Sequence, residues 1–357
     1  DKRVMSAQVT KRANSSLYDS EAYRVFQESV ALQKIVLDQW DKEIWSYYSS
    51  GPSEMDPLIC VPGVSGSAEQ FFLQVLGLSA KGFRVIAVSP AGGYSTARQW
   101  CRGFDKFLDA IKLRNVHILG TGLGGFLGLC YAQVKPKRVL SLLLCNSFVD
   151  TQYFSDTAPC SGAYAMVPAF MLRRTILKSF PRTALEQRIL RSVDFMIDQV
   201  ESLPSRVLVS RLTINTARSP LDPQNLPIPD RRITIIDVMD DVAFPDRVRE
   251  EVEKFFPDAS TAYLKSGGNW PFLSRPTEFN MYVQVHLRNH MPNYKPEQRT
   301  RPVNTSSNSV QSSSVIKAIE TVDIPKDVEP LTFTPQRHSS DSDSSDQIHD
   351  NKATTTT

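Results

Sequence analysis

No apolar run in the 357-residue chain reaches the roughly 18–20 residues that a membrane-spanning helix needs; the longest candidate is AYAMVPAFML, residues 163–172. The reading is therefore of a soluble protein. Neither charge sign dominates: 41 Lys and Arg stand against 38 Asp and Glu, a formal net charge of +3, which excludes the strongly basic surface of a nucleic-acid binder. Paired cysteines are also missing. Cys60, Cys101, Cys130, Cys145 and Cys160 are odd in number and lack paired spacing, which predicts free thiols in a reducing compartment and no disulfide framework. Histidine is confined to His117, His286, His290, His338 and His349. No metal site and no cofactor is expected from these residues. The sequence begins at Asp1 and is silent on any targeting segment ahead of it.

What remains is 41% hydrophobic residues, enough for a large core. Residues 1–30 read as a polar N-terminal extension and 292–357 as a disordered Ser/Thr/Asp-rich tail, too poor in apolar surface to offset its chain entropy. The body between them, 31–291, opens with a hairpin (34–38 and 43–52). Strands at 57–63, 83–93, 116–120 and 138–146 then alternate with helices at 67–82, 97–113 and 123–134. Ser67 is the expected N-cap and Gly82 the stop of the first of these helices. A helical insert follows at about 150–229, including 168–180 and 185–203. The alternation then returns with strands at 232–240 and 260–268 and helices at 246–256 and 275–290. Uniformly apolar strands of this kind belong in a mostly parallel central sheet flanked by helices, an α/β fold.

The stretch VHILGTGLGGFLGL, 116–129, admits two readings. Gly120, Gly122 and Gly125 spell the G-x-G-x-x-G of a dinucleotide-binding turn, whereas Gly120-Thr121-Gly122-Leu123-Gly124 spells a G-x-S-x-G nucleophile elbow with glycine at the apex. A dinucleotide turn belongs in the first βαβ unit, with an acid at the end of the second strand. Here two strand–helix units come first, and the next strand ends in Cys145 and Asn146. The elbow reading accounts for more of the chain. Residues 33–290 resemble the α/β-hydrolase fold, with VPGVSG (61–66) as its oxyanion loop. Gly63 and Leu123 stand at the oxyanion positions, DDVAFP (240–245) carries Asp241 at the acid position, and KSGGNWPF (265–272) places Asn269 where this fold has its histidine.

Acyl transfer on this fold needs an exposed hydroxyl, an imidazole to take its proton and a carboxylate to orient that imidazole. Gly122 has no nucleophilic atom, and an Asn side chain has no pKa suited to a general base. Removing such groups costs on the order of 10⁶-fold in rate, roughly 8 kcal/mol of barrier, so a pseudo-hydrolase with no intact catalytic residue is expected. Two alternatives stay open. One is a cryptic esterase with a displaced nucleophile, for which Ser65, Thr121, Ser147 and the cysteines are the candidates; the other is a non-catalytic small-ligand receptor. His117, His286 and His290 read as strand and helix-face residues.

The segments IWSYYSSGP, GLGGFL, LLLCNSFVDT, YAMVPAFMLRRTIL, VDFMIDQVESL and LKSGGNWPFLSRPTEFNMYVQVHL resemble the maspardin family of the α/β-hydrolase superfamily, insert included. That resemblance implies a non-catalytic protein with Asn at the histidine position, as here. The family typically keeps the elbow serine, from which this sequence departs at Gly122. It also implies a cytosolic protein associated with endosomal and trans-Golgi membranes that binds other proteins in trafficking or signalling. In the insert, Met166, Phe170, Met171, Arg173 and Arg174 suit an adaptable partner surface or a weak peripheral membrane contact; an ordinary lid over the cleft explains the same residues. The tail stretch QRHSSDSDSSD, 336–346, suits acid-directed kinases, or is only solvated low complexity.

Overall fold

The computed structural model describes residues 16–38, 43–158, 163–181, 186–219, 221, 222, 226–240, 242–291 and 319. Among them run the strands β1 (Gln33–Asp38), β2 (Glu43–Ser50), β3 (Leu58–Val61), β4 (Val85–Ser89), β5 (Val116–Thr121), β6 (Val139–Cys145), β7 (Ile233–Val238) and β8 (Ser260–Leu264). They form one sheet in the order β1-β2-β4-β3-β5-β6-β7-β8. The β1–β2 and β2–β4 pairings are antiparallel and the rest parallel, so the sheet is mostly parallel as expected.

The parallel strands are apolar along their whole length because both faces are covered. Successive side chains alternate between two cores. Leu58, Cys60, Leu143 and Cys145 face one, with α1 (Glu21–Ser29), α2 (Phe72–Ala80) and α11 (Pro276–His290) packed over them. Ile59, Val61, Leu142 and Leu144 face the other, against α3 (Ala97–Ala110), α4 (Leu123–Val134) and α9 (Asp246–Phe255). Local signals start these helices where the sequence places them: Thr96 accepts from the Gln99 amide at the head of α3 (3.2 Å), and Ser67 caps the short 3₁₀ turn leading into α2. Between β6 and β7 stand α5 (Gln152–Thr157), α6 (Ala169–Leu177), α7 (Gln187–Ser202) and α8 (Ser205–Thr216). The short α10 (Pro271–Ser274) precedes α11.

Two expectations about the ends of the body need correction. Residues 21–29, placed in a polar extension, form α1, which sets Ala22, Tyr23 and Phe26 into the core. Phe26 packs on Tyr48 with ring centroids 4.7 Å apart, and one buried aromatic of this kind offsets much of the polar composition around it. Ile319, placed in the tail, is buried and helical, beside Gly77 of α2; it belongs to the same core. The chain divides into the units Asp1–Ile324 and Pro325–Thr357. Tail serines 339–345 lie outside the described residues.

Candidate functional site

The parallel strands bring the loops after β3, β5, β6, β7 and β8 to one edge of the sheet, where ligands bind in open α/β folds. At the centre the chain leaves β5 through Gly122, with φ +50° and ψ −118°, and enters α4 at Leu123. This is the strained backbone of a nucleophile elbow. The turn is held from several sides. The Gly122 amide donates to the Cys145 carbonyl (3.0 Å), and the Gly122 carbonyl accepts from the Gly125 amide (3.0 Å) and the Ser147 hydroxyl (3.0 Å).

The flanking glycines have a different task. A Cβ on Gly124 would lie 2.3 Å from the Val61 carbonyl oxygen, and one on Gly120 would lie 2.4 Å from the Gly125 backbone, so α4 crosses β5 and β3 only without those side chains. A Cβ on Gly122 would have only the Asn146 carbonyl oxygen near it, at 3.8 Å. The apex therefore has room for a side chain that this sequence does not supply.

The loop after β3 stands opposite. The Gly63 amide donates to Thr121 Oγ1 (3.2 Å), so this amide fixes the loop to the elbow strand. From the cap, Arg211 Nη1 donates to the carbonyls of Gly63 (3.0 Å), Val64 (3.1 Å) and Gly66. Arg211 is only 8% exposed, and burial pushes its guanidinium down to about 10. Leu123 and Val64 also line the cleft, and neither amide donates to an acceptor among the described residues.

Asp241, the expected acid, lies outside the described residues. Its neighbour Asp240 accepts from the amides of Gly267 (3.0 Å) and Gly268 (3.0 Å), joining the turn after β7 to the loop after β8. Asn269 Oδ1 accepts from the Ala243 amide (2.7 Å), which ties the same two loops together a second time. Asn146 completes the frame: its Nδ2 donates to the Gly268 carbonyl (3.1 Å) and its backbone amide to Asp237 Oδ1 (3.1 Å). Burial raises the Asp237 carboxyl to about 6. Thus Asp240, Asn269 and Asn146 fasten these loops to one another.

These walls enclose a cavity of about 430 Å³, within the range of small-molecule sites. Gly63, Gly122, Leu123 and Asn269 all line it, so the fold does assemble those expected positions. Phe148, Phe154, Phe180, Phe244 and Trp270 give it apolar walls, the last of these in edge contact with Phe180 (ring centroids 4.6 Å). No histidine is among the described lining residues.

Of the displaced nucleophiles considered, Ser65 and Thr121 line the cavity, while Ser147 is spent on the Gly122 carbonyl. Cys145 is fully buried and its thiol is pushed well above the ordinary range; Cys60 and Cys101 are likewise buried and raised, and Cys130 is pushed up to about 12. Cys160 lies outside the described residues, as do His338 and His349. No group of residues suited to a metal occurs among the described ones.

The imidazoles gather elsewhere. Ser141 Oγ of β6 lies 2.6 Å from His117 Nδ1 of β5 and 2.7 Å from His286 Nε2 of α11, and His286 Nδ1 lies 2.7 Å from Thr234 Oγ1. Ser141 is 0% exposed. Burial depresses both histidines, His117 to about 3, and holds them neutral.

Sequence reasoning missed three lining or supporting residues: Gln70, Asn146 and Arg211. For Arg211 a signal existed, since Leu208, Arg211, Leu212 and Asn215 fall at the i, i+3, i+4, i+7 spacing of one buried helix face, on which an arginine is out of place.

In the cap, α6 buries Leu172 and Ile176, one turn apart, and turns other residues outward. Met166 is 87% and Phe170 68% exposed, and Met171 is exposed too. Phe170, Arg173, Arg174, Leu177 and Lys178 line a shallow open groove with Glu201. No helix among the described residues is long and apolar enough to cross a membrane.

Comparison with known proteins agrees with this architecture. The family model described as alpha/beta hydrolase fold matches residues 56–221. Among solved structures, a hydrolase from Pseudomonas aeruginosa superposes with a TM-score of 0.59 at 18% identity, covering 72% of this chain and 98% of that one. An enol-lactonase from Burkholderia xenovorans gives 0.57 at 16%, covering 71% and 99%. At such identities they share the fold only. Maspardin of Danio rerio is 42% identical over 273 residues, 75% of this chain and 86% of that protein. Human maspardin is 43% identical over 272 residues, 75% and 87%. At this identity and coverage, the chain belongs to the maspardin family of the α/β-hydrolase superfamily.

Proposed function

We propose that this protein is a non-hydrolytic member of its superfamily that acts as an intracellular protein-interaction adaptor in trafficking or signalling. The observation that carries the reading is the elbow: its backbone is wound for a nucleophile, yet Gly122 presents no hydroxyl to a cavity that has no imidazole among its described lining residues. The Asn269 side chain at the base position is already committed to the Ala243 amide. Without nucleophile and base, on the order of 10⁶-fold in rate is lost even if oxyanion amides remain.

Hydrolysis of short p-nitrophenyl esters tests this. Purified protein is expected to match the buffer blank, as are Gly122→Ser and Asn269→His alone, while the double variant gains turnover. Saturable wild-type turnover that survives removal of contaminants overturns the reading. The displaced-nucleophile alternative has less support, because Ser65 and Thr121 have no described imidazole beside them in the cavity.

The partner surface in this proposal is the outward side of the cap, Met166, Phe170 and Met171 flanked by Arg173 and Arg174. Exposed Met and Phe beside cations form an adaptable contact for an apolar, acidic protein segment. Peripheral association with endosomal and trans-Golgi membranes is part of the same proposal. Imaging of tagged protein bearing Met166→Ser and Phe170→Ser is expected to show loss of the membrane-proximal pool; unchanged distribution breaks the assignment of this surface.

A further inference from the structure

Three features around the cleft bear on what it can hold. Among the described residues, Arg211 is buried behind the oxyanion loop with no ion pair, and its Nη2 has no hydrogen-bond partner. Burying a cation without a counter-charge costs several kcal/mol, of which three carbonyl contacts return only a part. Next, α4 is a 12-residue helix whose N-terminus opens on the cavity at Gly122 with no side-chain cap among the described residues, so the positive end of its dipole faces the cavity and the Leu123 amide has no acceptor among the described residues. Finally, Gln70 is 1% exposed, lines the same cavity, and its Nε2 donor has no partner among the described residues.

Set against these is one unpartnered acceptor, Asn146 Oδ1, with the Asp237 carboxylate behind the Asn146 amide. Donors and positive charge prevail. Lys178 is the only charged residue among the described lining residues, and it too is a cation. The space beside Gly122 is open, its nearest described atom 3.8 Å from where a Cβ would be.

We infer that the cleft is a binding site for a monocarboxylate with an apolar chain. The carboxylate occupies the space beside Gly122, accepting from the Leu123 and Val64 amides and from Gln70 Nε2, and supplies the counter-charge that Arg211 lacks. The chain lies along Phe148, Phe154, Phe180, Phe244 and Trp270. The inference rests on the non-hydrolytic reading, since it treats the elbow as a place of residence for an acid and not of turnover.

Titration calorimetry on the full chain near neutral pH, with decanoate and its neutral isostere decanamide, tests this. Decanoate is expected to bind saturably with one site and at least about tenfold tighter than decanamide. Gln70→Met removes the donor at similar volume, and Gly122→Ser fills the space; each is expected to weaken decanoate binding at least about fivefold, and undiminished decanoate binding by Gly122→Ser overturns the placement of the headgroup. If Gln70→Met fails to fold, Gly122→Ser carries the test alone. Equal affinity for decanamide overturns the inference, as does absence of decanoate binding at about 1 mM. A parallel assay with p-nitrophenyl decanoate separates the two readings. Turnover inhibited by decanoate breaks the non-hydrolytic reading and leaves a carboxylate site, whereas silence in both assays breaks the site alone.

Discussion

The cleft and the histidine cluster divide between them what a hydrolytic site requires. In the cleft there are an elbow at φ +50°, uncommitted amides and a cavity of about 430 Å³, but no hydroxyl at the apex and no imidazole among the described lining residues. In the cluster Ser141 Oγ lies 2.6 Å and 2.7 Å from two imidazoles, yet the serine is wholly buried inside the sheet packing and both rings are held neutral. Proximity of serine and histidine is thus no evidence of chemistry by itself. Access, a developing-charge site and a base of suitable pKa must coincide, and the fold keeps them apart.

This contrast can be tested. The largest effect is expected at Gly124→Ala, where the new Cβ would meet the Val61 carbonyl at 2.3 Å: a loss on the order of 3 kcal/mol or more, or no folded product, read by denaturant unfolding. If Gly124→Ala were tolerated, the cleft would not depend on its glycine frame.

The second effect separates the cluster from the cleft by pH. His117 and His286 have folded pKa values depressed below the ordinary 6.5, so the unfolded chain takes up protons that the folded one refuses. Their neutral-state stability is complete above pH 6.5 and is lost as pH falls toward about 3, the His117 value. His117 contributes a loss of about 1.4 kcal/mol per pH unit within that window, and His286 acts in the same direction. Asp237, raised to about 6, works the other way between its ordinary 3.8 and 6, and offsets part of it. Unfolding free energy measured from pH 7 to 5 should fall, and His117→Gln should flatten the slope; a flat wild-type profile contradicts the buried neutral pair.

Ser141→Ala follows in size. It leaves the His117 and His286 ring nitrogens without their shared hydroxyl, expected to cost about 2–3 kcal/mol of stability. Ester hydrolysis by the double variant Gly122→Ser/Asn269→His should be indifferent to it; a loss of that turnover beyond the loss of folded protein would make the cluster part of the chemistry. Smallest is Gly122→Ser itself, expected to cost about 1–2 kcal/mol, because the apex is open and only the positive φ costs energy.

Much of this architecture was legible in the sequence because its determinants are local. Alternating apolar strands and helices fixed the order of elements, and Gly120-Thr121-Gly122-Leu123-Gly124 marked the elbow by spacing alone. The N-terminal helix escaped notice because EAYRVFQES is polar on average and only Ala22, Tyr23 and Phe26 share its buried side. The roles of Gln70, Asn146 and Arg211 depend on loops brought together from distant strands; Arg211 alone reaches back 145 to 148 residues to the carbonyls it holds. No window of sequence contains such a pairing.

The burial of Ile319 beside Gly77 has a practical consequence for anyone preparing this protein. A version shortened to end at Met291, just past α11, would leave a hydrophobic notch between α2 and α11 open to water. Full burial of an isoleucine side chain is worth about 1.5–3 kcal/mol, so the trimmed product should melt earlier and precipitate more readily in storage than one that runs past Ile324.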